Sequence, residues 1–549
     1  MNHSNRTSVL LISIVILSFL IRIIWLDRFP PALYTDEMNQ GYNAYSILLT
    51  GKDEHGVFMP VSLRSFGDWK PPLPTYLMIP FIAVLGLNEI AVRLPGTLLG
   101  VGTVILTFYL VKRLFKEEKN SVKIALAASF FVAISPWHIL QSRSAMLVEV
   151  GLFFLEAGIY CFIISEKYSK LMLLSALSFS LSLYAYYGLR VVTPLIVLFL
   201  ILYSRHLVRI RTREILFSVM LGLIVLLPLS ISFFGNPDVI FGRARTVSIF
   251  FDQGVKLRQW ELIAQDGLNS NTLITRFFHN NLNMYGKDVI QRFLSHFDGR
   301  YLFLNGDKVP PFQIPNMGIL YIIDAIFLVI GFTALFTNKS KYRNFILLWL
   351  LISFIPASFS FMTPSSNRTF NAIIPLMILI AVGVNKMLLL RGKLLFALLF
   401  SILYLFNFGY FLHQYFLILP KNHSDWWNYG WKETVKYIGE VEDKYDNIVV
   451  LNKGDMPYIN FLFYGKISPQ LYQKEAIRPY VENQFGFEHV EGFGKLSFPN
   501  DWEWKYTKDN LQKHTLYVVP SEQAKDDSNF LHAIYYPDGN IKLKIFANE

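Results

Sequence analysis

Two adjacent carboxylates, Asp36 and Glu37, stand in the stretch Pro30-Pro31-Ala32-Leu33-Tyr34-Thr35-Asp36-Glu37-Met38-Asn39-Gln40-Gly41. Thr35 or Asp36 suits a helix N-cap, which sets both acids in a first helical turn, where the helix dipole favours negative charge. A carboxylate there can take the proton of a bound hydroxyl, or simply mark a solvated helix start. Farther on, Phe66-Gly67-Asp68-Trp69-Lys70-Pro71-Pro72-Leu73 sets an ammonium directly before a proline-stiffened apolar stretch. Lys70 can offer a point charge and donors to a phosphate, or snorkel to lipid headgroups. Four single arginines, Arg93, Arg143, Arg190 and Arg368, stand at the ends of later apolar runs. Tyr184-Ala185-Tyr186-Tyr187 lies beside Arg190, and Tyr34 and Trp69 lie beside the acids and the lysine. Rings such as Tyr34, Trp69, Tyr184 and Tyr187 can stack on a sugar, though an interfacial aromatic belt uses the same residues.

The elements that must hold these groups follow from composition. Of 549 residues, 53% are hydrophobic and only 17% charged, and 48 are Phe and 29 Tyr. Apolar runs near the ~20 residues of a bilayer-crossing helix recur through most of the chain. They predict an α-helical polytopic membrane protein with about eleven spans, at roughly 8–25, 90–111, 123–141, 146–165, 170–186, 190–204, 215–234, 317–337, 343–361, 370–389 and 393–412. The first run has no small-residue cleavage site after it and reads as a retained span. The single cysteine, Cys161, rules out an intrachain disulfide and a Cys-rich zinc cluster.

Alternation of the spans fixes the loops. One set holds Lys112, Arg113, Lys116, Lys119 and Lys123; Lys167 and Lys170; Arg205, Arg209, Arg211 and Arg213; Lys339, Lys341 and Arg343; and Lys386, Arg391 and Lys393. Every short loop of this set is basic, which makes that side cytoplasmic, with the N-terminus in and the C-terminus out. The net charge of +11 thus follows topology, and no nucleic-acid partner is expected.

Three large segments then face outward. The first, 27–89, includes a short proline-bounded apolar stretch at 73–87, read as an interfacial or re-entrant helix because a full span there would invert every later loop. The second, 235–316, is polar and aromatic with helical stretches. The third, 420–549, has β-branched runs at 447–451 and 515–519 and a helical pattern at 431–441, as in a small extracytoplasmic α/β domain. The membrane domain is 1–412. The four arginines lie on the outer side, where the positive-inside rule does not explain them. A cation buried at that depth costs on the order of 2.5–3.5 kcal/mol by insertion scales, so it usually faces a cavity or partner.

Taken in order, Asp36-Glu37, Lys70-Pro71-Pro72-Leu73 and Arg93-Leu94-Pro95 resemble the first-loop pattern of GT-C fold membrane glycosyltransferases, most closely glycosyltransferase family 39. That family includes protein O-mannosyltransferases, lipid A aminoarabinose transferases and bacterial relatives. Ser142-Arg143-Ser144-Ala145 and Asn367-Arg368-Thr369-Phe370 with Pro375 look like further family features. The likeness covers roughly 1–412 and is strongest in 1–200. It implies inverting transfer from a polyprenyl-phosphate-linked sugar to a lipid, glycan or protein acceptor, on the outer face of a bacterial plasma (inner) membrane. Carried over residue by residue, Asp36 is the general base and Glu37 orients the acceptor or braces the site. Lys70, with Arg93, Arg143, Arg190 and Arg368, holds the donor phosphate, which is also the leaving group. Relatives carry an Asp a few residues beyond the second-loop Arg; here Glu149 is the approximate substitute.

Trp426-Trp427-Asn428-Tyr429-Gly430 is similar to the Trp-Trp-Asp-Tyr-Gly signature of oligosaccharyltransferase catalytic subunits, but with Asn428 in place of the Asp. An interfacial aromatic cluster is the simpler reading. No cofactor is predicted: His55 and His138 lack ligand spacing and no metal residue is assigned, with a divalent metal left open. The competing functions are a transporter or flippase, an oligosaccharyltransferase-like enzyme, and a sugar-polymer assembly factor with a dead site. Against transport, no inverted repeat shows in the hydropathy, and the chief intramembrane carboxylates are Glu156 and Asp324.

Overall fold

The computed structural model describes residues 3–204, 211–251, 253–267, 271–337, 342–389, 393–451, 456–480, 487–499 and 502–548. Arg205, Arg209, Lys339, Lys341 and Arg391 of the basic loops lie outside the described residues. Two compact units divide the chain. The first is Met1–Arg22, Gly96–Ser142 and Leu147–Gln414; the second is Ile23–Pro95, Arg143–Met146 and Tyr415–Glu549.

A helix answers each of the eleven expected spans. Six are long and apolar enough to cross a bilayer: Asn5–Ile23, Glu89–Leu114, Leu147–Ile164, Thr212–Gly235, Phe370–Met387 and Leu394–Asn422. A seventh is the pair Ser121–Ile134 and Pro136–Arg143, bent by 56° where Pro136 interrupts the hydrogen-bond ladder. Leu171–Leu183, Leu189–Tyr203, Asp324–Phe336 and Arg343–Ser358 are shorter apolar helices. Helices Asp324–Thr337 and Ile373–Met387 cross at glycines. A Cβ on Gly331 would sit 1.9 Å from the Leu379 carbonyl oxygen, and one on Gly383 2.2 Å from that of Phe327. Small residues allow this backbone approach, the usual packing device where lipid removes the hydrophobic drive between helices. The 235–316 segment folds largely into helices, among them Asp238–Val247, Gln253–Asp266, Thr272–Phe278 and Asn281–Ser295.

In the second unit, helix Thr35–Thr50 packs with Leu73–Leu85, the short stretch read as interfacial. Between them lies a hairpin, β1 (Leu63–Ser65) and β2 (Asp68–Lys70). The remainder is a six-stranded mixed sheet in the order β4-β5-β3-β6-β8-β7. Its strands are β3 (Asn447–Val450), β4 (Gly492–Phe493), β5 (Leu496–Ser497), β6 (Thr515–Pro520), β7 (His532–Tyr535) and β8 (Ile541–Asn548). β3 runs parallel to β5 and β6, and β8 antiparallel to β6 and β7. Helices Trp431–Val441 and Tyr458–Tyr464 pack beside each other. One hydrophobic core joins Met38, Tyr42, Met78 and Val92 of the early stretch to Trp431, Phe461, Leu516 and Ile545 of the late one.

Candidate active site

The site is built from the start of helix Thr35–Thr50 and the end of the hairpin. The hairpin turn is two residues, Phe66 (φ 54°) and Gly67 (φ 85°), both left-handed, the geometry whose twist matches paired strands. It pairs Leu63 with Lys70 and so fixes where Lys70 emerges. The Lys70 ammonium donates to Asp36 Oδ1 and lies 4.9 Å from the Phe66 ring centroid. The two partners differ in access: the Lys70 side chain is 6% exposed and that of Asp36 41%. An otherwise costly buried ammonium is thereby matched by a carboxylate that solvent, or a substrate, can reach.

Glu37, one residue on, is fully buried. Its Oε2 accepts the Tyr34 N–H at 2.8 Å, closing the first turn of the helix. Oε1 accepts the Ala145 N–H at 2.8 Å. Arg93 adds Nε–H to Oε1 at 3.0 Å and Nη2–H to Oε2 at 3.2 Å, a bidentate fork. The rest of that guanidinium goes to backbone carbonyls: Leu26 and Pro30, each 3.0 Å from Nη1, and Ala32 at Nη2. A guanidinium has five N–H donors, and five protein acceptors take them. Arg93, expected to bind phosphate, therefore has no hydrogen left for one and holds Glu37 and the 26–32 turn instead. Arg143 is similar. It is fully buried, donating from Nε to the Tyr415 hydroxyl at 3.1 Å and from Nη2 to the carbonyls of Ile24, Trp25 and Phe29 at 2.9, 3.2 and 3.0 Å.

Tyr34 and Trp69 are half-buried. Tyr34 meets the Trp427 ring edge-on, with centroids 6.2 Å apart, and Trp427 is fully buried with the Arg93 guanidinium carbon 6.0 Å from its centroid. Asn428, at φ 53°, donates to the Leu33 carbonyl at 3.1 Å and the Thr35 hydroxyl at 3.2 Å. The Trp-Trp-Asn-Tyr-Gly segment thus braces the entry to the acidic helix, with Trp427 inside and Trp426 52% exposed.

The other expected residues belong to the first unit. Glu149 is buried, accepting from Thr103 Oγ1 at 3.0 Å, with Oε2 3.4 Å from His138 Nε2. His138 Nδ1 in turn lies 2.6 Å from Arg22 Nη2. Arg22 also donates to Ser142 Oγ, Ser18 Oγ and the Ala133 carbonyl at 2.9–3.0 Å. Arg190 donates to the Val239 carbonyl at 2.9 Å and lies 5.4 Å from the Tyr187 centroid. Arg368 donates to the Met362 carbonyl at 2.9 Å. The Tyr184 hydroxyl bridges to helix Thr212–Gly235, donating to the Val225 carbonyl at 2.8 Å and accepting the Leu229 N–H at 3.2 Å. The second unit thus gathers Asp36, Glu37, Lys70, Arg93 and Arg143, while Arg190, Arg368, Glu149, Tyr184 and Tyr187 belong elsewhere in the division. Sequence reasoning passed over Arg22 and Tyr415; an arginine inside the first apolar run was the visible signal for the former. Among the described residues no three His, Cys, Asp or Glu side chains gather as a metal site.

The fold has counterparts among solved structures. ArnT from Cupriavidus metallidurans, solved bound to undecaprenyl phosphate, superposes over 98% of this chain and 97% of its own, with a TM-score of 0.53 at 10% identity. The oligosaccharyltransferase of Archaeoglobus fulgidus, solved with zinc and sulfate, covers 84% of this chain and 61% of its own at a TM-score of 0.50 and 11% identity. The chain is a multi-pass membrane protein with the GT-C fold of these glycosyltransferases.

The sequence narrows this further. Residues 69–231 match the profile of a family described as dolichyl-phosphate-mannose-protein mannosyltransferase. YycA of Bacillus subtilis (strain 168), which bears the name of a mannosyltransferase, is 29% identical over 169 residues. That stretch is 30% of this chain and under a quarter, 23%, of YycA. The fold and these matches make the chain similar to GT-C glycosyltransferases.

Proposed function

We propose that this protein moves a sugar from a polyprenyl-phosphate carrier to an acceptor hydroxyl on the extracytoplasmic face of a bacterial plasma membrane, inverting the anomeric centre. The observation that carries the reading is the pair of Lys70, buried, and Asp36, half-exposed, at the first turn of a helix. Phosphate oxygens of the donor take over the Lys70 hydrogens, which releases Asp36 to accept from the acceptor hydroxyl. Asp36 then removes that proton as the acceptor oxygen bonds to the anomeric carbon and the carbon–phosphate oxygen bond breaks. The polyprenyl phosphate leaves with the bonding electrons, and Lys70 balances its growing charge, the kind of electrostatic help that usually contributes most. Glu37, Arg93 and Arg143 touch no reactant in this scheme; they hold the helix start and the 24–32 turn in register. The expected phosphate roles of Arg190 and Arg368 enter no step.

The test is transfer of radiolabelled sugar from synthetic polyprenyl-phosphate donors by the full chain in nanodiscs. Asp36→Asn lowers turnover by roughly 10²–10⁴, the range a general base contributes, with donor KM little changed. Lys70→Met raises donor KM and lowers turnover together. Wild-type turnover in Asp36→Asn removes it as the base, and vesicle transport without covalent product favours a transporter instead.

A further inference from the structure

The segment between helices Thr212–Gly235 and Asp324–Thr337 lies wholly within the first unit. Unlike the spans, its helices mix polar and apolar residues: Lys256, Arg258 and Glu261 in Gln253–Asp266, and Asn283, Lys287 and Gln291 in Asn281–Ser295. Even so, Trp260 is 70% exposed, Leu273 79%, Phe277 68% and Leu282 82%. Single exposed hydrophobes are ordinary, but four so large on three successive helices mark a surface that something covers. Their placement is regular. Leu257, Trp260 and Ala264 recur at three- and four-residue spacing on one side of Gln253–Asp266, and all three are exposed. In Thr272–Phe278, Leu273 and Ile274 are followed one turn on by Phe277 and Phe278, and all four are exposed while Thr275 is buried. At about 100° per residue, exposed Leu282, Ile290 and Leu294 share one side of Asn281–Ser295, with Gln291 half a turn from Leu282.

Two ties moor this surface to the ends of apolar helices. The Phe361 N–H donates to the Val247 carbonyl at 2.9 Å, and the Ile249 N–H to the Phe359 carbonyl at 3.0 Å. These bonds join the end of helix Asp238–Val247 to the chain that follows helix Arg343–Ser358. Arg292 donates to the Ser360 and Phe361 carbonyls at 3.0 and 2.6 Å and to the Thr363 hydroxyl at 3.2 Å. The rings of Phe293 and Phe297 meet that of Phe354, with centroids 6.2 and 4.9 Å apart. Asp238–Val247 itself starts three residues after Thr212–Gly235, a helix long and apolar enough to cross the bilayer. The segment is thus held where such helices meet the headgroups.

Charge says which partner covers it. Lys256, Arg258, Arg276 and Lys287 are exposed around the apolar residues. These three helices have three acids, Glu261, Asp266 and Asp288. Asp266 already lies 3.3 Å from His279, and Asp288 2.6 Å from Arg292. A second copy of the same surface would therefore bring too few carboxylates to meet four cations. Lipid phosphates meet them, because long basic side chains reach headgroups while neighbouring rings and aliphatics sink deeper.

We infer that this segment lies in the leaflet at which helix Thr212–Gly235 ends. Its apolar side enters the acyl chains, and Lys256, Arg258, Arg276 and Lys287 hold lipid phosphates. The leaflet thereby steadies the 359–363 turn, on which Arg368 also rests through the Met362 carbonyl. The inference is independent of the transferase reading, and its test needs no turnover.

Cys161, the one thiol of the chain, is buried. Nitroxide labels therefore go one at a time onto Trp260→Cys, Phe277→Cys, Leu282→Cys and Gln291→Cys, in the full chain in nanodiscs of phosphatidylethanolamine and phosphatidylglycerol. Power-saturation EPR compares collisions with oxygen, which concentrates in lipid, and with a nickel chelate, which stays in water. The oxygen-to-nickel ratio at Trp260, Phe277 and Leu282 exceeds that at Gln291 severalfold. A ratio at any of the three as low as at Gln291 puts that side chain in water and overturns the inference. Shielding of any of them from both reagents overturns it too, since a protein surface then covers the site. All four side chains are exposed, so the replacements leave the core intact.

Discussion

At the scale of single residues, neighbours in sequence take opposite tasks. Successive helical positions point about 100° apart, so Asp36 and Glu37 cannot share one environment. Asp36 stays reachable, whereas Glu37 is sealed against Arg93, Tyr34 and Ala145. Glu37→Gln leaves a buried guanidinium without its counter-charge and costs about 3–5 kcal/mol. Asp36→Asn costs clearly less, because the Asp36 side chain is 41% exposed and water reaches that pair, whereas Arg93 and Glu37 are sealed. Thermal unfolding against transfer rate separates them: Glu37→Gln lowers the melting temperature far more than Asp36→Asn, whereas on the proposed mechanism Asp36→Asn loses the more turnover. A pH effect belongs to His55. Its folded-state pKa, about 4, is below the ordinary 6.5, so the unfolded chain binds the proton first. The stability it confers is whole above pH 6.5 and is lost as pH falls toward 4. Melting temperatures of the wild type therefore decline across that window, and those of His55→Gln decline less. The acid pair and Lys70 were legible in the sequence because charge is scarce in the outer loops. The tasks of Arg93 and Arg143 were not, because the carbonyls they bind, in 24–32, carry no side-chain signature.

At the scale of elements, the long apolar runs were readable because a bilayer imposes a length and a composition on every helix that crosses it. Strands β3 and β6 showed as β-branched runs. β8 reads Ile-Lys-Leu-Lys-Ile-Phe-Ala-Asn, and its lysines suggest a solvated edge. Yet Lys542 and Lys544 are 8% and 6% exposed. Lys542 reaches Asp425 at 3.1 Å, and Lys544 the carbonyls of Ala524 and Asp527 at 2.7 Å each, partners that lie well back along the chain. The β1–β2 hairpin was the costliest omission, since three-residue strands have no measurable period and only Phe66-Gly67 hints at the turn. It is also the element that places Lys70. Gly67 holds φ 85°, and an added Cβ would lie 3.1 Å from Glu488 Cγ. Gly67→Ala therefore costs about 1–2 kcal/mol in backbone strain alone. It loosens the strand end that carries Lys70, so donor KM rises in steady-state assays while acceptor KM moves little.

At the scale of the whole molecule, the sequence divides naturally at the last span, with a membrane domain of 1–412 and an outer domain of 420–549. Contacts draw the line differently, because Ile23–Pro95 and Arg143–Met146 cluster with Tyr415–Glu549. The ties are specific: Tyr42 donates to the Ile467 carbonyl at 3.1 Å, Asn428 caps the turn at Leu33, and the Glu488 N–H reaches the Phe66 carbonyl at 3.2 Å. Partners some 400 residues apart in sequence leave no local pattern, which is why composition alone could not join them. The loop bearing Asp36 and Lys70 is thus half of a core whose other half comes from the end of the chain. Deleting 423–549 exposes Met38, Tyr42 and Phe66, which are buried against that half. The truncated protein still inserts its spans, since each is apolar in its own right, but its first loop unfolds. Trypsin then cuts at Arg64, and chymotrypsin at Tyr42 and Phe66, within the time that leaves these bonds intact in the full chain, and transfer is lost. A first loop equally resistant with and without the C-terminal stretch would mean that Asp36 and Lys70 are held by the loop alone.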